Sequence, residues 1–257
     1  MGLLTQSQAA DDLTDPRELV SHLTNSVEFG FVLLPSKEQM PEIYELSAQV
    51  HRTVSDLPFA GAPDPIKGIY YNVSVTMPHV SIGQYGCLRM ELDRLKALVA
   101  DIAERTGVIT EPMKAALSVT DENVFLDAKG IREDTNPAIV ELYQRLRAAY
   151  MDGVSTKRPI AQALLERLLN ARNPEELRLL EICFQNWGTP EGNRIRPHFT
   201  LLYNYRAERA AAEKEVGGMQ VPDSLRNITF TRLGIVEIDF WGNPVPGGLL
   251  AEFPFRS

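Results

Sequence analysis

Hydrophobic positions along this chain switch between a period near two and a period near 3.6, and the switches fall at proline, glycine and asparagine. VEFGFVLLP, 27–35, is an apolar run closed by Pro35, which predicts a buried strand. In SKEQMPEIYELSAQVHRTVSDL, 36–57, Ile43, Leu46, Val50 and Val54 recur at helical spacing. YYNVSVTMPHVSIGQY, 70–85, is rich in Val, Ile and Tyr and reads as strand. ELDRLKALVADIAERTG, 91–107, is an amphipathic helix with Gly107 placed to cap it. Short strands are predicted around 115–120 and 123–128, joined near Asp121-Glu122-Asn123. The region from 136 to about 182 reads as mostly helical, with Asn173-Pro174 separating its last two helices. RAERAAAEKEVGG predicts a short helix, and NITFTRLGIVEIDFWGNPVPGGLLAEFPF two strands around a Gly/Pro loop. Strands and helices mix without strict βαβ alternation, which favours an α+β fold.

Composition narrows this only a little. The chain has 257 residues, enough for one large domain or two modest ones, with 44% hydrophobic and 23% charged residues. The formal charge of -8 argues against broad, sequence-independent binding to long nucleic acid, which needs a basic footprint. Cys87 and Cys183 make no zinc-type spacing and read as buried thiols. MGLLTQSQAADDL lacks a basic n-region and an apolar h-region, and no run approaches the length of a membrane span. The expectation is a cytoplasmic protein. Residues 1–26 read as a polar segment with a short helix beginning at DPREL, where Asp15 caps and Pro16 takes the first helical position.

The chemistry enters through histidine. All four histidines have Ser or Thr two positions later: HLT at His22, HRT at His51, HVS at His79 and HFT at His198. The bare pattern therefore decides nothing, and context must. His51 lies in a predicted helix, where positions i and i+2 are about 200° apart and share no face. His22 ends a short helical segment before Asn25-Ser26. His79 and His198 differ, since each follows a proline and opens a strand, in MPHVSIGQY and RPHFTLLYNY.

In a strand, side chains at i and i+2 leave the same face about 6.6 Å apart. His79 with Ser81, and His198 with Thr200, can therefore each present an imidazole and a hydroxyl to one small anion, while Val80 and Phe199 anchor the strands in the core. Two imidazoles that titrate near neutrality can divide acid and base duties at a phosphodiester. Ser81 and Thr200 can donate hydrogen bonds to non-bridging phosphate oxygens. No HExxH or DxD-type cluster accompanies them, so no metal or cofactor is implied.

The duplicated H-x-[ST]-hydrophobic strands resemble the 2H phosphoesterase superfamily, which includes bacterial RNA 2′,3′-cyclic phosphodiesterases, also called 2′-5′ RNA ligases. The resemblance runs from about residue 27 to the end, with EFGFVLLP similar to the opening strand and LGIVEIDFWGN to a late strand and turn. It implies a bilobal α+β fold in one domain, 27–257, with two pseudo-symmetric antiparallel sheets flanked by helices around a central cleft. A helical insertion around 155–185 would lengthen the spacing between the motifs beyond that of the compact bacterial enzymes. The family mechanism implies that His198 activates water and His79 protonates the leaving 3′ oxygen, turning a 2′,3′-cyclic phosphate into a 2′-phosphate.

Further candidates surround the pair. Tyr85 shares strand parity with His79 and Ser81, so it could stack on a base, or equally pack in the core or at the rim. Arg194 and Arg196 precede the second motif and could meet phosphate or stand as exposed loop charges. Tyr203 holds the place where a basic residue commonly follows the second motif in the RNA phosphodiesterase branch, and its parity also suits core packing. The expected partner is a nucleotide or an RNA terminus. Rival readings are an enzyme for cyclic oligonucleotides or RNA 3′ ends, a non-catalytic nucleotide-binding protein of the same fold, and an interaction protein whose histidines lie far apart.

Overall fold

The computed structural model describes residues 26–58, 73–74, 77–120, 123–130, 134–154, 196–203, 205–238 and 244–256. Two antiparallel sheets organise them. The larger has five strands: β1 (Ser26–Pro35), β3 (Val80–Leu88), β4 (Ile109–Pro112), β8 (Asn227–Ile238) and β9 (Pro244–Pro254). Its order is β3-β1-β8-β4, and β9 also pairs with β8 beyond the stretch that β4 occupies. The smaller sheet has four strands in the order β2-β7-β6-β5, with β2 at Val73–Ser74, β5 at Ser118–Val119, β6 at Val124–Asp127 and β7 at His198–Tyr203.

Each sheet carries its own helices. Helix α1, Met40–Ser55, lies against β7, burying the stripe Ile43, Leu46, Val50 and Val54 that its sequence spacing announces. Helix α4, Arg209–Gly217, packs on α1 and β5 with Ala212 and Val216 turned inward. Helices α2 (Leu92–Glu104) and α3 (Pro137–Gly153) pack on each other and cover the larger sheet. Asn136 caps α3 by accepting from Ala138 N, ahead of Pro137. The fold is thus α+β and bilobal, each lobe a sheet with two helices, as the motif resemblance implies.

One continuous core nevertheless runs through both lobes. Phe199 of β7 stacks on Phe230 of β8, with ring centroids 5.9 Å apart. In the larger lobe Phe29, Phe31, Tyr85 and Tyr150 form an aromatic cluster with neighbouring centroids 4.4 to 6.2 Å apart. The Tyr150 hydroxyl donates to Gly86 O at 2.7 Å, tying α3 to β3. Such ring pairs add about 0.5–1.5 kcal/mol each beyond the apolar area they bury.

Two sequence expectations change here. The described residues of 70–85 belong to two sheets: β2 pairs with β7 in the smaller and β3 pairs with β1 in the larger. The chain changes sheet between Ser74 and Val80, and Pro78, with no N–H to give a ladder, lies in that passage. Strand β4 was hidden in TGVITEPMK, because a short edge segment with Thr110 and Pro112 exposed has little apolar signal. Residues 1–25, the helices expected at 155–185, His22 and Arg194 lie outside the described residues, as does Cys183. Cys87 is buried, and burial pushes its thiol up to about 12, with Glu91 adding to the effect. Among the described residues no helix is long and apolar enough to cross a membrane.

Candidate active site

Both motifs begin a strand, and they do so in different lobes: His79 immediately precedes β3, and His198 is the first residue of β7. Strands β3 and β7 approach each other although they belong to different sheets. The two rings are near enough that the charge of His198 lowers the pKa of His79. Val80 and Phe199, the intervening residues, are wholly buried, as strand alternation requires.

The local construction is duplicated in detail. His79 Nδ1 lies 2.7 Å from Met77 O, and His198 Nδ1 lies 2.7 Å from Arg196 O. In both cases the carbonyl belongs to the residue before the proline. A carbonyl can only accept, so Nδ1 carries the hydrogen in each neutral ring, and Nε2 is left with the lone pair. Each ring is thereby fixed in the tautomer that exchanges a proton at Nε2.

A second duplication follows the hydroxyls. In β3, Ser81 pairs with Val32 and Gly83 with Phe31, so Ile82 is an extra residue. In β7, Thr200 pairs with Phe125 and Leu202 with Val124, so Leu201 is the extra residue. Both strands therefore carry a β-bulge immediately after the H-x-[ST] triplet, which re-aims the chain and inverts its face beyond that point. The bulge in β7 has a dedicated partner, since the buried Ser47 hydroxyl of α1 donates to Leu201 O at 2.6 Å.

The inversion explains Tyr85. Simple parity puts it beside His79 and Ser81, but the bulge at Ile82 turns it into the core, where it is 6% exposed and packs on Phe29, Phe31 and Tyr150. Of the alternatives open for Tyr85, the structure selects core packing, and base stacking is set aside. Tyr203 ends β7 half-buried, opposite Val73 of β2. His51 sits in α1, as its helical context predicts.

Electrostatically the two rings differ. His79 is 6% exposed, and burial pushes it down to about 4, with the charge of His198 helping and the Met77 carbonyl opposing. His198 is partly exposed. Burial lowers it too, the bond to Arg196 O raises it, the Arg196 cation lowers it and the Asp127 carboxylate raises it. Its ring meets Phe125 edge-on at 4.6 Å, and the Arg196 guanidinium lies 5.3 Å from the centre of the same Phe125 ring.

Sequence reasoning missed Phe125 and Asp127, which alternate along β6 and pair with Thr200 and His198 in the ladder. A carboxylate in the buried run VFLD was the available signal. Arg196, open between phosphate contact and an exposed loop charge, is exposed and yet engaged: its guanidinium grips both oxygens of Asp127, Nη2 at 2.9 Å from each. Among the described residues no group of three or more His, Cys, Asp and Glu is placed to hold a metal ion.

No family model matches this sequence, and no curated protein matches it. Among solved structures the chain is similar to E. coli LigT in complex with 3′-AMP, at 13% identity over 90% of this chain and 99% of that chain, TM-score 0.45. It is similar to a phosphoesterase at 14% identity over 90% and 99% of the two chains, TM-score 0.44. A Thermus thermophilus protein shares 15% identity over 89% of this chain and 98% of that one, TM-score 0.49.

Proposed function

We propose that this chain is a metal-independent phosphodiesterase of the 2H type, acting on a cyclic or 2′-5′-linked nucleotide phosphodiester, with a 2′,3′-cyclic phosphate opened to a 2′-phosphate as the leading reaction. One observation carries the reading: two strand-opening histidines from separate sheets, each locked by the same Nδ1-to-carbonyl bond, each followed by a hydroxyl and a bulge. The same tautomer control at two motifs, each with its own hydroxyl and bulge, goes beyond a single buried N–H finding a carbonyl partner. It suits two groups that must exchange protons at Nε2.

Burial lowers the pKa of both imidazoles, more at His79 than at the partly exposed His198, which favours neutral rings. A phosphodiester anion reverses this at one ring by supplying the opposite charge. The ring that becomes imidazolium donates to the departing ribose oxygen, and its neutral counterpart takes a proton from the attacking water. Water adds to phosphorus, the P–O3′ bond breaks, and the proton balance closes within the pair. The Ser81 and Thr200 hydroxyls hold the non-bridging oxygens, on which charge grows in the transition state. General acid and base each supply about 10²–10⁴-fold.

The test is hydrolysis of a panel of 2′,3′-cyclic nucleotides and 2′-5′ dinucleotides by purified protein in EDTA, with product isomers read by phosphorus NMR. Turnover to 2′-phosphates is expected. Turnover that requires added metal, or binding with no turnover of any member, would reject the reading.

A further inference from the structure

In the first motif the residue whose carbonyl holds the histidine is Met77, which packs on Val32, Leu34, Val236 and Ile238. In the second motif that residue is Arg196, and its side chain is held from the neighbouring strand. Arg196 Nε lies 3.2 Å from Asp127 Oδ1, and Nη2 lies 2.9 Å from both Oδ1 and Oδ2, a forked grip on one carboxylate. Asp127 is 1% exposed and stands opposite His198 in the ladder of β6 and β7. The Ser118 hydroxyl donates to its Oδ2 at 2.5 Å and Lys114 Nζ lies 3.6 Å away. Although burial opposes it, the hydrogen bonds from Arg196 and Ser118 hold Asp127 below the usual carboxylate range, so it is a fixed anion at neutral pH.

We propose that Asp127 is a positioning residue for His198: by clamping the Arg196 side chain it fixes the carbonyl that sets the His198 tautomer, and by its charge it balances the cation that this clamp brings beside the ring. The inference rests on the reading that His198 exchanges a proton in phosphodiester cleavage. The geometry explains why a buried carboxylate belongs here and not at the first motif, where the carbonyl is carried by an apolar residue. The charged groups bearing on His198 are Arg196 and Asp127, with Lys114 3.6 Å behind Asp127, and His198 in turn acts on His79. Removing the anion leaves an unbalanced cation, and removing the cation leaves an unbalanced anion.

The two removals must therefore push His198 in opposite directions. Asp127→Asn lowers its pKa and Arg196→Met raises it, each by about one unit. In pH–rate profiles one limb moves to lower pH in Asp127→Asn and the same limb moves to higher pH in Arg196→Met, while the other limb stays; the limb that moves identifies the role of His198. In Asp127→Asn kcat falls by about tenfold or more, with KM changed far less, and Asp127→Glu moves the limb back toward wild type. Long-range ¹⁵N NMR titration of the His198 ring reads the same shifts and the Nδ1–H tautomer without any substrate. If wild type hydrolyses no phosphodiester, the proposed function falls while the NMR shifts still judge the clamp. Unmoved or same-direction shifts, or an Arg196→Met defect confined to KM, would overturn the inference. Should Asp127→Asn fail to fold, the Arg196→Met shift carries the decision alone.

Discussion

At His79 the imidazole is buried, its carbonyl partner is Met77, and the charge that acts on it is that of the other histidine. At His198 the ring is partly open, rests edge-on against Phe125, and lies beside the Asp127–Arg196 pair. The backbone hardware is nevertheless the same: proline, histidine, buried anchor, hydroxyl, bulge. Under the proposed function, the difference teaches that the duplicated part fixes where protons are exchanged, and the unduplicated part sets how readily each ring accepts one. Acid and base need the first in common and the second apart.

The largest break in this comparison is removal of either ring. His79→Asn and His198→Asn, whose amides can still reach the Met77 and Arg196 carbonyls, each lose about 10²–10⁴-fold in kcat. Steady-state kinetics on the folded variants checks this. Tyr85→Ala separates core from cleft: it costs about 3–5 kcal/mol in denaturant unfolding, while kcat and KM of the folded protein stay near wild type. A rise in KM without loss of stability would return Tyr85 to the cleft.

The hydroxyls come next. Thr200 is buried and Ser81 half-exposed, so water can replace Ser81 more readily. Thr200→Ala is expected to cost about 10²-fold in kcat, Ser81→Ala less, and Thr200→Ser to recover most of the loss. Gly83 sharpens the bulge in β3: a Cβ there would meet the Tyr85 ring at 2.6 Å. Gly83→Ala is therefore expected to lose about 1–3 kcal/mol in the same unfolding assay.

The most gradual effect is a slope. His79 falls from an ordinary 6.5 to about 4 on folding. Between those values the unfolded chain binds more protons than the native one, so stability rises with pH by up to about 1.4 kcal/mol per unit from this group. The contribution is complete above the unfolded value and lost as pH falls toward the folded one. His79→Asn should flatten the dependence of unfolding free energy on pH in that window, and an unchanged slope would place His79 in a more hydrated setting.

Local pattern made much of this legible. The helix stripe at Ile43, Leu46, Val50 and Val54, the burial of Val80 and Phe199, and the long closing strands all follow from side-chain period. The paired histidines were legible because proline and strand chemistry surround both. What period cannot see is an extra residue. The bulge at Ile82 inverts every face after it, which is why strand parity left Tyr85 open between cleft and core. Period also cannot see a chain that changes sheet, so 70–85 read as one strand instead of two. Arg196 and Asp127 are 69 positions apart and meet only through the pairing of β6 with β7.

The most direct test of the central claim is a double-mutant cycle on His79 and His198 with a 2′,3′-cyclic nucleotide in EDTA. Groups that pass one proton load between them act as a unit, so the account predicts that His79→Asn/His198→Asn is about as slow as the slower single variant. Single-variant losses that multiply in the double variant, or turnover that survives both substitutions, would contradict a shared site.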